Sequence, residues 1–73
     1  MLFASKLITS SGNTILNICD PDLLDKIVKD KKIEIKISSK YYNDKTIDEI
    51  EAEYLLKKCT SANMVGEKTI SLS

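Results

Sequence analysis

Apolar and polar positions divide the chain into short segments of changing period. Residues 2–9, LFASKLIT, and residues 14–19, TILNIC, are extended runs rich in β-branched and apolar side chains. The intervening SSGN supplies Gly and Asn for a tight turn, so the two runs predict a β-hairpin. The segment DPDLLDKIVKD follows with the marks of a helix start. Asp20 can cap free amides, Pro21 fits the first helical position, and Asp22 complements the positive end of the dipole. Leu23, Leu24, Ile27 and Val28 then share a helical face, which predicts a short amphipathic helix.

Residues 33–38, IEIKIS, switch to a period of two. Ile33, Ile35 and Ile37 alternate with Glu34, Lys36 and Ser38, the pattern of a strand with one face on the core and one in water. On this reading the three isoleucines make most of the core, and Ile35→Asp is expected to unfold the domain. A polar connection, SKYYNDK, carries Tyr41 and Tyr42. TIDE then forms a capping box, with Thr46 as cap and Glu49 reaching back. The helix it opens runs to about Cys59, with acidic residues at its start and Lys57 and Lys58 at its end. Its inner stripe is Ile47, Ile50, Tyr54 and Leu55, widened by Ala52, Leu56 and Cys59. A short strand, NMV, precedes Gly66. Strand, strand, helix, strand, helix and short strand add up to an α+β protein, a small two-layer sandwich with its helices on one face of the sheet.

Length sets the scale of this fold. At 73 residues the chain is one domain, near the lower limit for independent folding. MLFASKLITSSGN lacks the basic start and sustained apolar run of a secretory signal, and no apolar stretch approaches the roughly 20 residues that span a bilayer. A cytoplasmic protein with no membrane partner and both thiols reduced is expected.

Composition narrows the chemistry. His is absent, so neither a Ser–His nor a Cys–His nucleophile pair can be built. Cys19 and Cys59 stand alone, far apart in sequence, and read as core thiols. The acidic pairs Asp20 with Asp22 and Asp48 with Glu49 lie at helix starts, where capping accounts for them. No GxGxxG or GxxxxGK phosphate loop occurs. These absences predict a protein that is not an enzyme, with no catalytic residues, no metal site and no cofactor.

Charge leaves a narrower opening. Eleven basic and eleven acidic residues cancel, and every basic residue is Lys. Arg, whose planar fork suits phosphates and guanine edges, is missing. Lys31, Lys32, Lys36, Lys40 and Lys45 nevertheless cluster in mid-chain. With Tyr41 and Tyr42 between Lys40 and Lys45, that segment is a candidate contact for RNA or a protein partner. A solvated edge, with one Tyr folded over apolar surface and the other flat on the outside, is the competing reading. Asn63 and Gly66 form a second candidate. Gly66 suits a positive φ or a close approach, and Asn63 suits a local hydrogen bond or a ligand.

The order of these features resembles the DUF424 family of small archaeal proteins. The resemblance rests on the hairpin followed by Cys19, Asp20, Leu23 and Leu24, on the alternating strand at 33–37 with Tyr41 or Tyr42 after it, and on the acidic helix. It rests most specifically on Ala62, Asn63, Met64, Val65 and Gly66. Family resemblance implies an α+β fold and an archaeal cytoplasmic setting, and brings no established reaction. Members typically continue past the Val-Gly into a further helix and a final strand with a Gly- and His-containing segment. The resemblance therefore implies that EKTISLS opens a helix and that the natural protein continues beyond Ser73.

The function expected from these features is a non-enzymatic accessory of the archaeal translation machinery, docking on the ribosome, its RNA or translation factors. The alternatives are a homodimeric or heteromeric protein-interaction module, and a small-molecule binder or enzyme completed by a further C-terminal segment.

Overall fold

The computed structural model describes residues 1–30 and 32–72. Strand β1 (Leu2–Ser10) turns back into β2 (Asn13–Cys19), pairing Ser10 with Asn13 at one end and Ala4 with Cys19 at the other. Ser11 and Gly12 make the turn with φ of 50° and 80°. Two successive positive φ values match the right-handed twist of a hairpin, which is why a Gly stands at the second position.

The next segment differs from the expected helix. Pro21–Leu23 form a single 3-10 turn, and the chain then runs extended as β3 (Ile27–Asp30). Leu24 leaves the helical region at ψ 132°, and Asp25 takes a positive φ of 63°. The Asp25 carboxylate accepts from the Ser39 N–H at 3.1 Å and the Ser39 hydroxyl at 2.7 Å, which holds that kink. These bonds also hold the Asp25 carboxyl below its usual pKa. Asp25 N–H donates to Ile37 O, and Ile37 N–H donates to Lys26 O. The backbone bonds that a helix would make locally are thus made across to β4 (Ile33–Lys36). β3 and β4 form a separate two-stranded arm. The spacing of Leu23, Leu24, Ile27 and Val28 is helical, but the β-branched pair at 27 and 28 favours a strand, which turns Val28 to the core and leaves Ile27 59% exposed.

After the arm, Ser38 accepts from Lys40 N–H and caps a single helical turn, α1 (Ser39–Tyr42). Strand β5 (Lys45–Asp48) returns to the main sheet opposite β1, pairing Thr46 with Ala4. Thr46 is therefore a strand residue. The cap of α2 (Glu49–Lys58) is Asp48, whose carboxylate accepts from Glu51 N–H at 2.9 Å. Strand β6 (Ser61–Val65) then lies parallel to β2, and α3 (Glu67–Ile70) follows Gly66. The main sheet has the order β5-β1-β2-β6. The fold is α+β, built on a mixed sheet.

Strand alternation splits the core between the two faces of this sheet. Phe3, Leu16, Ile18 and Ile47 face α2 and bury Ala52, with Leu55, Leu56, Cys59, Met64 and Leu72 packed around them. The stripe of α2 is thus Ala52, Leu55, Leu56 and Cys59, at helical spacing. Ile50 and Tyr54 point away, at 80% and 59% exposed. Ile47 belongs to a strand, so its phase does not carry into the helix.

The opposite face buries Ala4, Cys19 and Ile37, with Leu23, Leu24, Val28, Tyr42 and Val65 around them. Of the three alternating isoleucines only Ile37 is buried, whereas Ile33 and Ile35 are 62% and 51% exposed. The arm projects from the sheet, and its paired residues cover one another only in part. Lys29 and Glu34 form an exposed ion pair at 3.6 Å on its other face. Among the described residues no helix is long and apolar enough to cross a membrane.

The two cysteines lie in clusters on opposite faces of the sheet. Burial pushes the Cys19 thiol up to about 11, with the charges of Asp20 and Asp22 adding to the effect. Only the thiolate attacks an alkylating agent. Iodoacetamide at neutral pH is therefore expected to label the half-buried Cys59 first, and Cys19 only after denaturation. Equal labelling rates in the native protein, read by mass spectrometry of peptides, would contradict this placement.

Candidate functional site

One polar row crosses the face opposite α2. The register sets Lys6 beside Asn17 and Asn17 beside Asn63, so all three side chains leave the sheet on the same side. α1 sits over this row. Lys6 Nζ donates to Lys40 O at 3.0 Å, and Asn17 Nδ2 donates to Tyr41 O at 3.1 Å. Asn63 Nδ2 donates to Asn17 Oδ1 at 2.8 Å. Asn17 is buried and needs these partners, because an unpaired buried amide is costly. The row therefore fixes the helical turn that presents Lys40 and Tyr41.

Lys40 and Tyr41 are both exposed, and the Lys40 ammonium lies 5.7 Å from the Tyr41 ring centre. Tyr42, one residue on, turns inward onto the Cys19 and Ile37 cluster. Burial raises the pKa of its phenol. The two tyrosines thus divide into a surface ring and a core ring. Lys45 is not in this patch. It stands opposite Ser5 in β5 and lines a cleft with Glu51 and Leu55 on the α2 side. Lys32 sits on the turn of the arm, and Lys31 lies outside the described residues.

The described residues 32–45 thus do not make one basic surface. Its place is taken by Lys6, Lys40 and Tyr41. Lys6 and Asn17 are the members not anticipated from sequence. The available signal was a polar residue at an inward position in each strand, in FASKL and in TILNIC.

Gly66 has two reasons to be glycine. Its φ is 106°, and a Cβ built on it would lie 2.4 Å from Cγ of Asp20. The Asp20 carboxylate occupies that space because it caps α3. Oδ1 accepts from Thr69 N–H at 2.8 Å and the Thr69 hydroxyl at 2.7 Å, and Oδ2 accepts from Lys68 N–H at 3.2 Å. The 3-10 turn that follows Asp20 receives no bond from its side chain. Asp20 therefore caps a helix far away in sequence instead of the one expected after it. Asn63 and Gly66 have structural partners, Asn17 and Asp20.

Residues 8–73 match the family model described as DUF424, protein of unknown function. The chain belongs to the DUF424 family. In this DUF424 protein the matched region takes in the polar residues Asn17, Asp20, Asn63 and Gly66 as well as α1. No curated protein matches the sequence. Among solved structures, the chain is similar to the crystal structure of an uncharacterized conserved protein from Methanopyrus kandleri. The TM-score is 0.81 at 22% identity, covering 99% of this chain and 70% of that one. At that identity the likeness is one of fold.

Proposed function

We propose that this DUF424 protein is a non-enzymatic accessory of the archaeal translation machinery that docks on ribosomal RNA through Lys6, Lys40 and Tyr41. The observation that carries the reading is one ammonium group over an exposed ring, with a second ammonium bonded to the same helical turn. Lys40 lies over Tyr41, and Lys6 is tethered to the Lys40 carbonyl. Such a ring can stack on an unpaired base while the ammonium groups meet neighbouring phosphates. Held by Asn17 from beneath, the turn loses little freedom on binding.

The test is co-sedimentation of the untagged protein with ribosomal subunits across a salt series. Binding at low salt that falls steeply as salt rises is the expected result. Lys40→Glu is expected to lower the salt slope by about 1 or more, and Tyr41→Ala to weaken binding by about 1–3 kcal/mol. Lys57→Glu on α2 serves as the control and is expected to bind as the parent does. A protein that stays wholly in the supernatant at low salt, or a Lys40→Glu variant with unchanged binding, would remove the reading.

A further inference from the structure

α2 covers the sheet with Ala52, Leu55, Leu56 and Cys59, which leaves the opposite side of the helix to solvent. At about 3.6 residues per turn, that side carries Ile50, Tyr54 and Lys57. Two clefts mark its flanks. Glu53 and Lys57 border the one that reaches Leu56, Met64 and Leu72, and Glu51 borders the one that reaches Leu55 and Lys45. Lys58 stands two turns on from Glu51 and so on the same flank, with its ammonium 5.6 Å from the Tyr54 ring centre.

Each flank thus has an acid nearer the start of the helix and a base nearer its end. The helix dipole accounts for that order. It does not account for an isoleucine left 80% exposed beside an exposed tyrosine on the line that faces away from the sheet. Among the described residues, none of the four flanking charges takes part in an ion pair. Leu72, which follows α3, packs against the inner side of α2, away from Ile50 and Tyr54.

We propose that the outer face of α2 is a contact between two copies of this chain, related by a two-fold axis beside Tyr54. In such a contact the helices run antiparallel, and each residue meets one equally far beyond the axis. Glu53 then meets Lys57 of the second copy on one flank, and Glu51 meets Lys58 of the second copy on the other. The same axis brings the two Tyr54 rings together and lays Ile50 along the aliphatic stem of the opposite Lys58. A second copy is the occupant because one axis satisfies both flanks at once. Parallel pairing would set acids against acids and bases against bases, which is repulsive. With about 15 Å of helix on each side, the contact falls below the roughly 1,000 Å² of a stable interface, so the dimer is a weak one. The inference is independent of the RNA contact, since Lys6, Lys40 and Tyr41 lie on the other face of the sheet and stay open in the dimer.

The experiment is sedimentation velocity of the full natural chain from about 10 µM to about 1 mM at low salt. Reversible dimerisation with a midpoint of about 100 µM, weakening as salt rises, is the expected result. Ile50→Lys puts a charge at the centre of the contact and is expected to weaken it about tenfold, without unfolding a helix whose outer face is already in water. Glu53→Lys sets Lys against Lys57 on both sides of the axis and is expected to weaken it by about as much. Glu53→Lys combined with Lys57→Glu restores both pairs across the axis and is expected to recover the parent's association. A different protein, or a further segment of this chain, lying on the same face would give no such recovery. A monomer at every concentration would overturn the proposal. So would unchanged association of both single variants, or a double variant as weak as Glu53→Lys alone.

Discussion

Gly66→Ala is expected to destabilise the protein by roughly 3–5 kcal/mol, enough to unfold most of a domain of this size. Two costs combine at this position. At φ 106° and ψ 149° the backbone occupies a region that is nearly exclusive to glycine. The added methyl would also stand 2.4–2.7 Å from the three carboxyl atoms of Asp20, which must then give way. Moving that carboxylate breaks its bonds to Lys68 and Thr69 in a site where Thr69 is fully buried. Gly12→Ala separates the two costs. Its φ is 80° and nothing lies within 4 Å of the new methyl, so backbone strain alone is expected, at about 1 kcal/mol. Asp20→Asn should fall between them, because it keeps the shape and replaces one acceptor with a donor facing Lys68 N–H. Urea denaturation gives all three values. Equal losses for Gly66→Ala and Gly12→Ala would mean that Asp20 does not hold α3 against the sheet.

Asp20 also marks where the sequence stops being readable. DPD at a helix start is a local signal, and local signals gave the β1–β2 hairpin, most of α2, β6 and the positive φ at Gly66. The carboxylate instead serves amides 48 and 49 residues away, a choice that no window around Asp20 contains. The same limit explains the arm. Leu23, Leu24, Ile27 and Val28 are spaced for a helical face, and the decision against a helix came from Ser39 and Ile37 across the fold. Within the candidate site, Tyr41 and Tyr42 were legible as a pair of which one folds inward. Their grouping with Lys6, in place of Lys45, was not. It depends on which face of the sheet each strand residue takes, and register fixes that only once pairing is known.

Ile37→Asp is expected to abolish folding, whereas Ile35→Asp is expected to leave a cooperatively melting protein, the reverse of what the alternation alone implies. Both isoleucines lie on one side of the same extended segment, two residues apart. Ile37 is fully buried between Ala4 and Cys19 at the root of the arm, where its own N–H and C=O are bonded to Lys26 and Asp25. A carboxylate there has neither water nor a cationic partner, and even truncation to Ala would cost about 2–5 kcal/mol. Ile35 pairs with Val28 and keeps half its surface in solvent. An Asp there can turn its charge outward, and the lost apolar contact is worth roughly 1 kcal/mol. Circular dichroism and urea titration of the two variants distinguish the cases. Unfolding of Ile35→Asp would mean that the arm is covered in solution. The exposed isoleucines would then belong to an interface on which stability depends.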